Sequence, residues 1–440
     1  MRRALLAFLT FSVAEWAVWL ALLIWAYDRS GVGGAAVVSV VQLVPAVVVA
    51  PLAASLGDRM HRGRALAVGY LLQAVTMAAT AAALTADLPL GVVATCGALV
   101  TCAVTLTRPV HNAALPSLAR TPGELVAGNA ATSTAEGVGA FLGPLSCGLM
   151  IVHGGAETVF GVFALTLLGA AALVVSLPAG RPGEGPSPTI SGGSLGQAME
   201  GVRELRRDPP AAVLVGMVAG QYIVVGAMDL LVIMVALEVL GTGGSGPGVL
   251  ASALGVGSVL GALCTVLLVG RRRLTPALAG GLLVTGVPLA LLPLGAVPAT
   301  AALLLALSGA GKSFFDVAAK TLLQRAVRDE VLARVFGVQE SAMTAAIAVG
   351  AALAPLAVAA FGLSGALVLV GALLPVAAAL SWRWLRRLDS TAAQPGPHLG
   401  LLRGVPSLRL ASPGVLESLS RAARELPLPA GAPVVREGDA

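Results

Sequence analysis

Residues 211–236 read AAVLVGMVAGQYIVVGAMDLLVIMVA, with one charge, Asp229, in the whole run. A helix needs about 20 mostly apolar residues to cross the roughly 30 Å hydrocarbon core of a bilayer. Eleven more such stretches are legible, at 5–27, 33–56, 64–86, 90–110, 129–152, 158–178, 248–270, 275–293, 299–320, 336–360 and 364–385. Lipid offers no water to bond free peptide groups, so each stretch must be a helix that satisfies its own backbone. The expectation is an all-α membrane protein of twelve transmembrane helices.

Composition and charge agree. Charged residues are 11% of the 440 and the hydrophobic set is 57%, against about 25% charged in soluble domains. The net charge of +6 comes from Lys and Arg that collect in alternate connections. With the N-terminus (Arg2, Arg3) in the cytoplasm, 21 of the 23 Lys and Arg before residue 389 fall at or near the cytoplasmic side; Arg29 and Lys312 are the exceptions. That bias puts both termini in the cytoplasm of a multi-pass plasma-membrane protein. It also removes the case for nucleic acid, since no basic face with stacking aromatics is present. The first stretch is too long for a signal peptide, and no small-residue cleavage site precedes Asp28-Arg29. The four cysteines, Cys96, Cys102, Cys147 and Cys264, lie inside spans with no metal-ligand spacing.

The longest polar interruption, residues 179–210, opens with a Gly/Pro/Ser-rich run and ends in a charged, helix-like segment around Glu200–Arg207. It separates a six-helix half, 1–178, from a second half, 211–388. A repeat relates the two. Gly139-x-x-x-Gly143-Pro144 returns as Gly350-x-x-x-Ala354-Pro355, 211 residues on. Duplicated halves are the layout of many secondary transporters. Residues 389–401 read as a linker, and 402–440 as a soluble tail too short for a core of its own.

On these motifs the chain resembles the major facilitator superfamily, nearest to its bacterial drug and siderophore exporters, over residues 1–388. Leu56-Gly57-Asp58-Arg59-Met60-His61-Arg62-Gly63-Arg64 is similar to the family's loop between spans 2 and 3, with Ala54 and His61 where glycines are usual. The resemblance implies that Asp58, Arg59, Arg62 and Arg64 latch the halves together in one state. Gly139, Gly143 and Pro144 resemble the antiporter motif of span 5, with Cys147 at a customary glycine. The resemblance also implies that spans 1, 4, 7 and 10 line a central cavity, and that Arg108, Asn112 and Gln324 flank its inner mouth.

Charges inside a membrane are costly and mark function. Glu15 lies near the middle of span 1, and Asp229 lies within a turn of the position displaced from it by 211 residues. Loss of water disfavours the charged form of a carboxylate, so such a group can take and release a proton near neutral pH. Glu15 is the expected main proton-coupling carboxylate and Asp229 the second. Lys312 and Asp316, four apart on span 10, can pair on one face; a structural ion pair, a gate and a site for an anionic group all fit. Glu136 and Glu340, near helix starts, are expected to serve the gate. Trp25 and Tyr27 fit an interfacial belt, while Trp16 beside Glu15 fits either lipid packing or stacking on a substrate.

Gly311-Lys312-Ser313 lacks the upstream glycine of a P-loop, and no Ser/His/Asp grouping or dinucleotide fingerprint is present. An enzyme and a cofactor are not expected. The expected partners are protons, the bilayer and a hydrophobic or amphipathic small molecule that is exported. The tail segments Gly404–Leu408, Leu416–Leu419 and Leu428–Asp439 are similar to the opening of a cyclic-nucleotide-binding domain. That resemblance implies a nucleotide partner only if a longer chain completes the domain. It leaves open a nucleotide-regulated membrane protein as an alternative to a transporter, beside a lipid or lysolipid flippase.

Overall fold

The computed structural model describes residues 1–59, 62–118, 122–175, 203, 205–264, 273–294, 297–326, 329–391, 399–405, 408, 419 and 423. Among them there is no strand. The helices are α1 (Arg2–Arg59), α2 (Arg62–Thr85), α3 (Leu90–Leu118), α4 (Pro122–Val175), α5 (Pro209–Met234), α6 (Gly246–Cys264), α7 (Thr275–Leu291), α8 (Pro298–Ala326), α9 (Asp329–Thr391) and the short α10 (Leu399–Gly404). A π-helical turn, Val235–Val239, prolongs α5. The tail segment Leu428–Asp439 lies outside the described residues, as does nearly all of 402–440.

Among the described residues eight helices are long and apolar enough to cross a membrane, and Leu90–Thr105 of α3 is a shorter apolar one. Three of the eight, with apolar lengths of 44, 45 and 50 residues, have about twice the length one crossing needs. Each is broken at a glycine with positive φ: Gly31 in α1, Gly155 in α4 and Gly362 in α9. A side chain there would be strained, and glycine carries no such penalty. α1 folds back on itself at its break, because Gly97 of α3 faces both Leu22 and Gln42, one from each arm. Counting each arm as a crossing gives twelve, six before residue 179 and six after 208. All three breaks fall on the face opposite the termini, where Gly241 and Gly243, also at positive φ, join α5 to α6.

The repeat is visible in the packing. The first arms of α1 and α4 meet where Gly139 lies against Ser12; a Cβ on Gly139 would sit 2.6 Å from the Ser12 Cβ. Gly350 of α9 lies against the Ile223 carbonyl of α5 in the same way. Both partners are displaced by 211 residues, so one helix crossing has been used twice. Each half thus places its fifth crossing on its first through small residues that let backbones approach.

The halves meet along α4 and α6. A Cβ on Gly148 would lie 2.9 Å from the Ser245 carbonyl oxygen, and one on Gly248 2.5 Å from that of Pro144. The Ser252 hydroxyl donates to the Phe141 carbonyl at 3.1 Å across the same seam. α1 also packs on α9 and α5, which completes the contact between halves. In the first half Phe8 stacks on the buried His111 ring at 4.0 Å and neighbours Phe11, which in turn packs on Tyr70.

These crossings set a stability test. Gly350→Ala drives a methyl group into a backbone carbonyl and is expected to cost about 1–3 kcal/mol. Gly220→Ala, a position with nothing within 4 Å, removes a helix-interior glycine and is expected to be neutral or mildly stabilising. Thermal melting of the detergent-purified protein should rank Gly350→Ala well below the parent and Gly220→Ala at or above it.

Candidate functional site

Between the halves lies a cavity of about 200 Å³. Its first-half wall is Trp16, Trp19, Leu20, Leu23, Ala140 and Pro144; α5, α6, α7 and α8 supply the rest. The wall is mostly apolar, with a few placed polar groups, which is the usual make-up of a small-molecule site.

Asp229 stands on this wall and takes a hydrogen bond from the Trp19 indole N–H at 3.2 Å. That bond joins α1 to α5 and therefore one half to the other. Lys312 is on the wall too, bound to Asp316 at 2.9 Å with its ammonium 5.0 Å from the Tyr222 ring centre. The pairing expected from their spacing is present. Trp16, half exposed on the same wall, is available to a substrate.

Glu15 is not a lone carboxylate. Arg108, brought alongside by α3, binds Glu15 Oε2 through Nη2 at 2.6 Å and Glu136 Oε1 through Nη1 at 2.8 Å. Its guanidinium also lies 5.8 Å from the Phe11 ring centre. Glu340 of the other half is exposed but within electrostatic reach of Arg108. Sequence distance hid this grouping: Arg108 is 93 residues from Glu15 and 28 from Glu136. One cation shared by two carboxylates leaves one negative charge in excess. Arg108 remains 37% exposed.

Gly139, Gly143 and Pro144 position these groups. Gly139 and Gly143 seat α4 against Ser12, Val13 and Trp16 of α1, and Pro144 lines the cavity. Of the latch loop, Asp58 and Arg59 end α1 and Arg62 begins α2, but their side chains lie outside the described residues; Arg64 is exposed. The side chains of Asn112 and Gln324 are likewise outside them.

On the face opposite the termini the halves are bridged by a contact that reading each span separately does not reveal. The Tyr27 hydroxyl donates to Glu238 Oε1, joining the end of the first arm of α1 to the π-helical turn after α5. The two residues are 211 apart, so they are equivalent positions of the repeat touching each other. Equivalent points can touch only at the pseudo-two-fold axis. The repeat spacing, applied to polar residues at span ends, would have found them. Arg29 pairs with Asp87 on the same face, within the first half.

The fold and the paired halves define a secondary transporter. Residues 4–296 and 248–423 match the family model of the Major Facilitator Superfamily, and the chain belongs to that family. No curated relative matches the sequence at a significant level. Among solved structures it is similar to a bacterial homologue of the human lysosomal transporter Spinster, in an inward-facing and unoccupied conformation. The TM-score is 0.70 at 15% identity, covering 89% of this chain and 98% of that one. It is also similar to a mutant of the peptide transporter POT in complex with sulfate, at TM-score 0.72 and 14% identity over 89% and 95%. The nucleoside transporter NupG, as a mutant, gives 0.71 and 12% over 87% and 98%. At such identities the likeness is one of fold.

Tyr27→Phe removes the hydroxyl that links the halves at the far face. With the four native cysteines replaced by alanine, a cysteine put at Val232 on the cavity wall should then react faster with an impermeant thiol reagent added on that face. An unchanged labelling rate would count against the seal.

Proposed function

We propose that this chain is a proton-coupled exporter of a hydrophobic or amphipathic small molecule, working by alternating access in the plasma membrane. Both termini face the cytoplasm, as the distribution of Lys and Arg favours. The halves 1–178 and 211–388 rock about the cavity at their seam. The face that Tyr27 and Glu238 hold shut is then the outer one, and the mouth toward Arg108 the inner one.

The observation that carries the coupling is the sharing of Arg108 between Glu15 and Glu136. With both carboxylates ionised the group keeps an uncompensated negative charge, costly in a partly dehydrated setting. A proton on either carboxylate leaves one ion pair and a neutral acid. Glu15 is the primary acceptor because it lies on α1, one residue from Trp16 on the cavity wall; Glu136 holds the arginine meanwhile. Proton movement thereby changes what Arg108 pulls on, and Arg108 ties α1, α3 and α4 together. Glu340, on the other half, is the partner Arg108 gains when the inner mouth closes. Asp58, Arg59, Arg62 and Arg64 latch that mouth in the outward-facing state. Asp229, Lys312 and Asp316 belong to the substrate site.

Efflux of a fluorescent cationic dye from cells without their own pumps tests the reading. Glu15→Gln should abolish uphill efflux while purified protein still binds the dye, and a proton ionophore should do the same to the parent. Uphill efflux that survives both treatments would remove the proton from the mechanism.

A further inference from the structure

The polar groups on the cavity wall are unequal in what they leave open. Among the described residues there, four donors hydrogen-bond within the protein, and the Trp16 indole and the Ser308 and Ser313 hydroxyls stand on the wall beside them. The Trp19 N–H goes to Asp229, the Gln221 amide N–H goes to the Lys312 carbonyl at 3.3 Å, and the Ser258 hydroxyl goes to the Gly309 carbonyl at 3.3 Å. The Thr285 hydroxyl donates to the Gly281 carbonyl at 2.8 Å. The Lys312 ammonium is answered by Asp316 and by the Tyr222 ring.

The acceptors are not used up. Gln221 is 0% exposed, lines the cavity, and its Oε1 has no hydrogen-bond partner. A buried amide oxygen left unbonded costs about 1–3 kcal/mol, and native proteins rarely keep one without a reason. Asp229 sits two helical turns on from Gln221 on α5 and receives only the one bond from Trp19 at Oδ2. A carboxylate has two oxygens and about four acceptor positions. Beside its neutral donors the site thus presents unused acceptors on Gln221 and a carboxylate, Asp229, while its cation Lys312 is already paired with Asp316.

We infer that the cavity binds an amphipathic amine, a primary or secondary ammonium whose N–H groups donate to Asp229 and Gln221 while its apolar body lies against Trp16, Leu20, Leu23 and Met228. This rests on the reading of the cavity as the transport site. An anion finds no unmatched cation and meets the Asp229 charge. A zwitterion would have to break the Lys312–Asp316 pair. A quaternary ammonium or phosphonium carries the charge without the N–H, so it leaves Gln221 unbonded as before.

The test is scintillation-proximity binding of radiolabelled 2-phenylethylamine to the purified full chain. The competitors are its N,N,N-trimethyl analogue, 2-phenylethanol and 3-phenylpropanoate. The amine should bind saturably, and the trimethyl analogue and the alcohol should each compete about tenfold more weakly or worse, the loss expected for a charge-assisted hydrogen bond. The carboxylate should not compete. Asp229→Asn, which keeps an acceptor for Trp19, and Gln221→Met should each weaken amine binding about tenfold or more. Equal competition by the trimethyl analogue, tighter binding of 3-phenylpropanoate, or no saturable amine binding to monodisperse protein overturns the assignment. The competition series uses the parent chain, so it stands even if a variant fails to fold. Flux driven by a pH gradient in proteoliposomes separates this inference from the broader reading. Amine binding without such flux keeps the site and removes the coupling. Gradient-driven flux of the anion or the quaternary cation in preference to the amine keeps the coupling and overturns the amine.

Discussion

Inside hydrocarbon an unbonded peptide group costs several kcal/mol, and everything in this structure follows from that demand. It makes every crossing a helix. The same medium removes the hydrophobic drive for helices to associate, since lipid tails are as apolar as leucine. The bundle must then be held by close backbone approach and by a few polar bonds. Gly139 on Ser12, Gly350 on Ile223 and Gly248 on Pro144 are the first kind. Ser252 to Phe141, Trp19 to Asp229 and Tyr27 to Glu238 are the second, and all three bridge the halves.

The two kinds of contact have different consequences for motion. Helices seated on each other through glycine pack backbone to backbone, and the close-packed seam has no slack. Gly139 and Gly350 make such joints within a half, α1 to α4 and α5 to α9, and Gly148 and Gly248 make one between the halves at the α4–α6 seam. Single side-chain bonds between halves can be made in one state and released in another. The Tyr27–Glu238 bond at the pseudo-axis is of this kind, and the π-helical turn that carries Glu238 is a local departure of the sort often found at functional places. Charge within the crossings is likewise held in pairs and small groups: Arg108 with its two carboxylates, Lys312 with Asp316, and Asp229 with an indole.

Much of the fold was legible. The crossings are readable because an apolar run of membrane length, repeated along the whole chain, suits a bilayer and little else. The two halves are readable because a polar stretch of some thirty residues separates two similar patterns. The Lys312–Asp316 pair was readable because four residues make about one helical turn. Glu15 was readable as a membrane carboxylate but not as one of a pair sharing Arg108, because nothing local connects α1 to α3. Tyr27 and Glu238 read as separate span-end residues, although the 211-residue spacing that relates Gly139 to Gly350 relates them too.

A bundle of twelve helices in a bilayer, built from two like halves with few charges inside the spans, is already written in the order of residues along the chain. Those properties depend on short-range periodicity and on the cost of polar groups in lipid, and both act on each segment independently. Which charges meet, where the halves touch and which polar atoms on the cavity wall lack a partner emerge only from the packed fold. Those depend on crossings between helices far apart in the chain. The same Gln221 is an ordinary amide in sequence; only the tertiary fold buries it, ties its N–H to the Lys312 carbonyl and leaves its oxygen without a partner on the wall it shares with Asp229.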